Sequence, residues 1–163
     1  MPAESSIIKT INDGSITFTT GDGTSLVLPC SITMDISSLQ ANQREAVAIE
    51  ARGVLKSLRQ GARVYPSGTV EMYLTGLSDA TLTTELDLIF GTGSYSSTTS
   101  TTTALGDLRT VDIKLTIEGT DLGDAADHTF TLEDCYLVNA VSEAQTGDTI
   151  SAAFTCYGTV TRV

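Results

Sequence analysis

Apolar and polar residues alternate strictly in the last third of the chain, and this pattern constrains the fold more than any other feature. The segment TVDIKLTIEG, residues 110–119, places apolar side chains at every second position: Val111, Ile113, Leu115 and Ile117. The segment TISAAFTCYGTV, residues 149–160, does the same with Ile150, Ala152, Phe154, Cys156 and Val160. A period of two residues is typical of a strand with one buried and one solvated face. We therefore expect two such strands here.

A third strand is predicted between them in HTFTLEDCYLVNAV, residues 128–141. Phe130 and Leu132 begin in phase, and the pattern then slips near Asp134. A β-bulge produces such a slip because it inserts one extra residue into one strand of a pair. Three consecutive strands of this kind indicate an antiparallel meander that packs one face on a core.

The first half of the chain adds further strands. In SITFTTGDGTSLVL, residues 15–28, alternating residues flank a Gly-Asp-Gly turn, which is typical of a hairpin. The segment SITMDIS, residues 31–37, follows as another strand. In VEMYL, residues 70–74, apolar and polar side chains alternate again. The chain is therefore predicted to be mainly β.

One short amphipathic helix is predicted in SDATLTTELDLIFGTG, residues 78–93. Its apolar residues recur at helical spacing: Leu82, Leu86, Ile89 and Phe90. Ser78 or Asp79 can cap its start, and Gly91 ends it. The Ser/Thr-rich tract that follows, at about 94–105, has almost nothing to bury, so we expect a mobile loop there.

Residues 43–59, QREAVAIEARGVLKSLR, fit two structures. Good helix formers dominate the segment, and its apolar residues fall on one helical face. Against a helix, Gly53 lies in the middle and VAIEA alternates. An extended arm that turns at residues 59–62, RQGA, is therefore the alternative.

The charge of the chain is unevenly placed. The net charge of −11 argues against recognition of DNA through its phosphates, since affinity for the backbone comes largely from Lys and Arg. Five of the nine basic residues lie between positions 44 and 63: Arg44, Arg52, Lys56, Arg59 and Arg63. Residues 115–161 contain eight carboxylates and no Lys or Arg. A solvated polar face explains most charge runs, but this separation also suggests self-association.

The acidic stretch EGTDLGDAADH, residues 118–128, surrounds the single histidine, His128, with four carboxylates: Glu118, Asp121, Asp124 and Asp127. A calcium loop has carboxylates at alternating positions and a glutamate at the twelfth, whereas these carboxylates recur every third residue. We therefore predict an acidic turn between two strands and no metal site.

No catalytic or cofactor motif is found in the sequence. It lacks a G-x-S-x-G elbow and a phosphate-binding loop with its lysine, so we expect neither an enzyme nor a cofactor. The start of the chain lacks a signal-peptide core, and no apolar run reaches the roughly 18 residues of a membrane helix, so we expect a soluble protein without membrane insertion. Cys30, Cys135 and Cys156 lack CxxC spacing and are expected to be buried thiols.

Two long runs carry a resemblance to a known family. RGVLKSLRQGARVYPSGTVEMYL, residues 52–74, is followed by the predicted helix and then by TVDIKLTIEGTDLGDAADHTFTLEDCYLVNAVSEAQTGDTISAAFTCYG, residues 110–158. In this order they resemble the major tail tube proteins of long-tailed bacteriophages. The resemblance covers roughly residues 40–160, and EGTD.GD..DH...L.DC and FTCYG are its most distinctive parts.

The resemblance implies a phage tail-tube-like fold: a single domain, residues 1–163, with a β-sandwich or barrel-like pair of sheets and one helix. Subunits of that family form hexameric rings that stack into a hollow tube, the conduit for genome delivery. An arm or hairpin that reaches the next ring is expected at about 43–68, which favours the extended alternative there. The implied location is the virion, with assembly in the host cytoplasm.

The implied partners are further copies of the chain, other tail proteins (terminator, baseplate and tape measure) and double-stranded DNA that passes without specific binding. We predict that the basic residues Arg44, Arg52, Lys56, Arg59 and Arg63 contact Asp121, Asp124 and Asp127 of the adjacent ring. The alternatives are a terminator, adaptor or baseplate component of the same fold, or a calcium-dependent β-sandwich binding module.

Overall fold

Most of the chain that the computed structural model describes is β-strand. The described residues are 14–28, 30–33, 44–73, 88, 100–102, 108–120, 123–138 and 149–163. Their strands are β1 (Gly14–Thr19), β2 (Ser25–Leu28), β3 (Cys30–Thr33), β4 (Arg44–Ala51), β5 (Val54–Arg63), β6 (Ser67–Tyr73), β7 (Val111–Ile117), β8 (His128–Val138), β9 (Thr149–Cys156) and β10 (Val160–Arg162).

Eight of these strands form one antiparallel sheet. Its order is β2-β1-β7-β8-β9-β6-β3. Strand β10 also pairs with β8, on the same edge of β8 as β9 and further along it. The two ends of this order, β2 and β3, are separated in the sequence by residue 29 alone. Because consecutive Cα atoms are about 3.8 Å apart, the two ends of the sheet must meet within about 8 Å. The sheet therefore curls onto itself, and the predicted barrel-like, mainly β architecture is confirmed.

The interior of this barrel is filled by the side chains that alternate along its strands. Phe18, Ile113 and Leu132 are fully buried, and they come from three neighbouring strands. The rest of the buried apolar set is Ile16, Val70, Leu88, Val111, Leu115, Cys135, Ala152, Phe154 and Cys156. The alternation in residues 110–119 and 149–160 thus predicted which face of each strand is buried.

The predicted slip near Asp134 is a bulge between β7 and β8. The register runs from Ile113 opposite Leu132 to Val111 opposite Cys135, so β8 holds one extra residue. Asp134 has a φ of 54°, a left-handed conformation that Asp tolerates better than most residues. Its backbone N–H donates a hydrogen bond of 3.0 Å to Oδ1 of Asp112, which fixes the bulge.

The predicted helix lies outside the described residues except for Leu88, which is helical and buried against the barrel. The predicted Ser/Thr-rich loop is described at residues 100–102 only. There the N–H of Thr101 donates to the carbonyl of Thr110 at 3.1 Å, and the N–H of Thr110 donates to Oγ of Ser100 at 2.9 Å. Residues 100–102 therefore lie alongside the segment that leads into β7.

Replacement of Phe18 by alanine tests the barrel core. Phe18 is 0% exposed, so the change should leave a cavity and lower the free energy of unfolding by about 3–5 kcal/mol. The loss of stability is measured by urea denaturation, in which the midpoint should fall and the m-value should stay the same. The control is Val27→Ala on β2, where the side chain is 61% exposed and a loss of at most about 0.5 kcal/mol is expected. Equal losses in the two variants would contradict this core.

Candidate interaction surface

Strands β4 and β5 form a hairpin that is separate from the barrel. They pair with each other in a two-stranded sheet, apart from the eight-stranded one. The ten residues of β5 extend about 33 Å at the usual rise per residue. The segment is therefore extended, and the helix that its composition favoured does not form.

The hairpin turns at Arg52 and Gly53. Both residues have positive φ, 53° and 74°, which is the geometry of a two-residue type I′ turn. The predicted turn at residues 59–62 is wrong, since these residues lie within β5. The turn forms where a glycine can take the second left-handed position without a steric penalty, and Gly53 offers that at the end of β4.

Both faces of the hairpin carry exposed apolar side chains. All eight residues of β4 are exposed. Large apolar residues of the two strands are 40% to 67% exposed: Val47, Ile49, Val54, Leu55 and Leu58. A single hairpin in water is marginally stable, and a surface with this much apolar area commonly marks an interaction site.

The strand register assigns these residues to two faces. Val47 lies opposite Arg59 and Ile49 opposite Ser57, so these pairs share one face. Ala48 lies opposite Leu58 on the other face. An irregularity in the register follows Ile49, and a bulge of this kind strengthens the twist of a hairpin. The hairpin is therefore a twisted ribbon with apolar groups on both sides.

Most of the predicted basic contact residues lie along this ribbon. Arg44, Arg52, Lys56 and Arg59 are exposed, and the hairpin contains two carboxylates besides. Arg63 differs from them because it is half-buried at the base, opposite Arg44. The hairpin is thus a basic projection on a chain with a net charge of −11.

The base of the hairpin is anchored to the barrel by Arg63. Its Nη2 atom donates a hydrogen bond to the carbonyl of Gly158, in the link between β9 and β10. The guanidinium carbon of Arg63 lies 5.1 Å from the centre of the Tyr65 ring, and the Tyr65 and Tyr157 rings lie 5.0 Å apart. The Cys156 N–H also donates to the Pro66 carbonyl, at 2.8 Å. These contacts fix where the hairpin leaves the barrel.

The acidic turn between β7 and β8 is organised by Asp127. Its Oδ1 atom accepts hydrogen bonds from the N–H groups of Gly119 and Thr120, both at 3.0 Å, and from Oγ1 of Thr120 at 2.9 Å. These hydrogen bonds, led by that from the Thr120 backbone, lower the pKa of Asp127. The carboxylate therefore stabilises its own turn.

Of the other two predicted acidic contact residues, the structure describes one. Asp124 is half-buried in the turn, and its N–H donates to the Gly119 carbonyl at 2.8 Å. Asp121 lies outside the described residues. Arg63 donates its hydrogen bond to Gly158 of its own chain. The basic residues available to contact the acidic turn of a neighbouring subunit are therefore mainly the four exposed ones.

Among the residues that the structure describes, which leave out Asp121, no group of three or more His, Cys, Asp and Glu side chains is placed to hold a metal ion. His128 begins β8 opposite Ile117. In the same part of the chain, no helix has the length and apolar character to cross a membrane.

Comparison with known proteins gives a likeness of fold. No protein-family model and no curated protein matches the chain. A chain of the extended PVC sheath-tube complex, an extracellular contractile injection system, superposes with a TM-score of 0.51 at 10% identity over 91% of this chain and 87% of its own length. The chain has a tail-tube-like fold.

Two further solved structures agree with this fold. A chain of the PVC sheath/tube terminator gives a TM-score of 0.52 at 11% identity, over 91% of this chain and 92% of the other. A chain of the anti-feeding prophage cap, a tube-terminating cap, gives 0.50 at 14% identity, over 99% and 93%. Each of the three alignments includes at least 91% of this chain.

Replacement of Arg63 by glutamine tests the anchor at the hairpin base. The loss of its charged hydrogen bond and of its contact with the Tyr65 ring should weaken the base by about 1–2 kcal/mol. Thermolysin should then cleave the hairpin of dilute protein about 5- to 30-fold faster. Arg59→Gln, midway along β5, is the matched control and should cleave at the parent rate. Equal rates in the two variants would show that Arg63 anchors nothing.

Proposed function

We propose that this chain is a structural subunit that assembles as hexameric rings, and that the rings stack into a hollow tube of the phage-tail type. The exposed hairpin is the observation that carries this proposal. A barrel that buries its own core leaves the hairpin outside with apolar groups on both faces. A second copy of the chain is the partner that stabilises it, and repetition of that contact produces a ring or a stack.

The tail-tube-like fold supports the same proposal. Solved chains with this fold come from a sheath-tube complex, a sheath/tube terminator and a tube-terminating cap of injection systems. We therefore propose that the protein belongs to a tail or tail-like particle and has a role without catalysis. Its partners in that particle are the terminator, the baseplate and the tape measure, and its assembly takes place in the host cytoplasm.

The charge distribution supports a conduit for DNA. A lumen through which DNA slides should be acidic or neutral, because basic walls would hold phosphates and slow passage. The excess of carboxylates fits such a lumen, while five of the nine basic residues lie on the hairpin or at its base. We propose that the hairpin contacts protein and that DNA passes without specific binding.

The terminator is the second candidate function. The likeness to a sheath/tube terminator, with a TM-score of 0.52, is as good as that to the sheath-tube complex at 0.51. A terminator of this fold forms one ring and stops, so the two functions differ in what the purified protein assembles.

Negative-stain electron microscopy across protein concentration tests the proposal. Long hollow tubes are expected for the parent chain, whereas isolated rings would favour the terminator. Leu58→Ser, at a side chain 67% exposed on the hairpin, should raise the concentration needed for assembly at least about tenfold. Its control is Val163→Ser, 85% exposed beyond β10, which should assemble as the parent does.

The folding of both variants is checked by urea denaturation of the dilute protein, and neither change should alter the free energy of unfolding. A parent chain that stays monomeric at high concentration would overturn the proposed function. Equal assembly of Leu58→Ser and the parent would remove the hairpin from the interface.

Reversal of charge at Arg52, Lys56 and Arg59 tests the proposed pairing with Asp121, Asp124 and Asp127 of an adjacent ring. At about 0.5 kcal/mol for each exposed ion pair, the triple variant should need roughly tenfold more protein to assemble. Added salt should weaken assembly of the parent and not of the variant. Light scattering during assembly measures both effects.

The matched comparison is Lys56→Glu on the hairpin against Lys114→Glu, an exposed lysine on β7. Only Lys56→Glu should raise the protein concentration needed for assembly. If charge reversal at the three positions left assembly and its salt dependence unchanged, the pairing would be wrong.

A further inference from the structure

Two buried thiols lie side by side in the barrel. Cys135 on β8 is directly opposite Cys156 on β9, and both are free and fully buried. The pair lies next to the bulge at Asp134 on one strand and to the break at Tyr157 on the other. Neither the fold nor the proposed function requires two cysteines at these positions.

The hydrogen bonding of the strands shows which kind of cross-strand pair this is. The Cys156 N–H points away from β8 and donates to the Pro66 carbonyl at 2.8 Å, whereas the next N–H, that of Tyr157, donates to the Asp134 carbonyl at 3.1 Å. Cys135 and Cys156 are therefore a non-hydrogen-bonded pair. Cα atoms in such pairs are about 4.5 Å apart, which is within the range that a disulfide spans.

Each thiol also has a hydrogen-bond acceptor on β8. Cys135 donates to the Leu132 carbonyl at 3.5 Å and Cys156 to the Glu133 carbonyl at 3.1 Å, and the neighbouring Cys156 together with burial raises the pKa of Cys135. The thiolate form is the nucleophile in thiol–disulfide exchange. Either thiolate can therefore attack an oxidant during refolding, before the barrel buries the pair.

We infer that Cys135 and Cys156 form a disulfide site that a small-molecule disulfide such as glutathione disulfide oxidises. During refolding, one thiolate of the pair attacks one sulfur of glutathione disulfide, forms a mixed disulfide and expels one glutathione thiolate. The other cysteine then loses its proton and attacks the protein sulfur of the mixed disulfide, which forms the cross-strand bond and expels the second glutathione. Two electrons and two protons pass from the protein to glutathione disulfide, which becomes two glutathione molecules.

The bond would lock the barrel where the hairpin is anchored. It would join β8 to β9 within two residues of Gly158, whose carbonyl accepts the hydrogen bond from Arg63. The pair stays reduced in a reducing cytoplasm and closes under oxidising conditions. This inference rests on the geometry of one chain and is independent of any tube.

Equilibration of the full chain during refolding tests the site, because refolding gives the oxidant access to thiols that the native barrel buries. The Cys30→Ala variant, which retains only this pair, is refolded in mixtures of reduced and oxidised glutathione. The remaining thiols are then trapped with N-ethylmaleimide in denaturant, where a reduced pair is accessible. The reduced protein should take up two labels, and the oxidised protein none, at a mass two hydrogen atoms lower.

Trypsin cannot separate the two cysteines, because residues 115–161 contain no Lys or Arg. The disulfide is therefore mapped by a protease that cleaves after Glu143 and Asp148, which lie between Cys135 and Cys156. Oxidation of Cys30→Ala should also raise its melting temperature by about 5–10 °C. Cys30→Ala with Cys135→Ser is the control, and it should show no such rise. Free thiols or mixed glutathione disulfides as the main products at every ratio, or a lower melting temperature on oxidation, would overturn the inference.

Discussion

The curl of the eight-stranded sheet decides which apolar residues are buried and which stay exposed. Because β2 runs into β3 across one residue, the two ends of the sheet meet and the apolar faces turn toward one interior. That interior is filled by residues of the barrel strands and by Leu88. The hairpin of β4 and β5 lies outside the closed sheet, so its apolar residues remain exposed in a single chain. The surface that we propose for assembly is thus a consequence of the way the barrel closes.

The sequence predicted best where a strand has one buried face and one wet face. Val111, Ile113 and Leu115 alternate with polar residues because β7 lies in that position, and the slip at Asp134 correctly indicated a bulge. The hairpin was ambiguous for the opposite reason. Both of its faces are exposed, so alternation is confined to VAIEA, and good helix formers occupy the exposed positions at little cost.

The features that the sequence did not predict depend on contacts between distant positions. Arg63 and Gly158 are 95 residues apart, and neither lies in a pattern that indicates the other. Cys135 and Cys156 become neighbours only when the register of β8 and β9 is known. In the acidic turn, local hydrogen bonds to Asp127 show that part of its charge stabilises the turn itself, which spacing alone did not reveal.

If another copy of the chain stabilises the hairpin, as we propose, the hairpin should be less dynamic in the assembly than in a single chain. Amide hydrogen exchange of residues 44–63, followed by mass spectrometry in dilute and in assembled protein, tests it most directly. We expect fast exchange in the dilute chain and strong protection in the assembly, with β7 and β8 protected in both. Equal exchange of the hairpin in the two states would show that no other copy stabilises it.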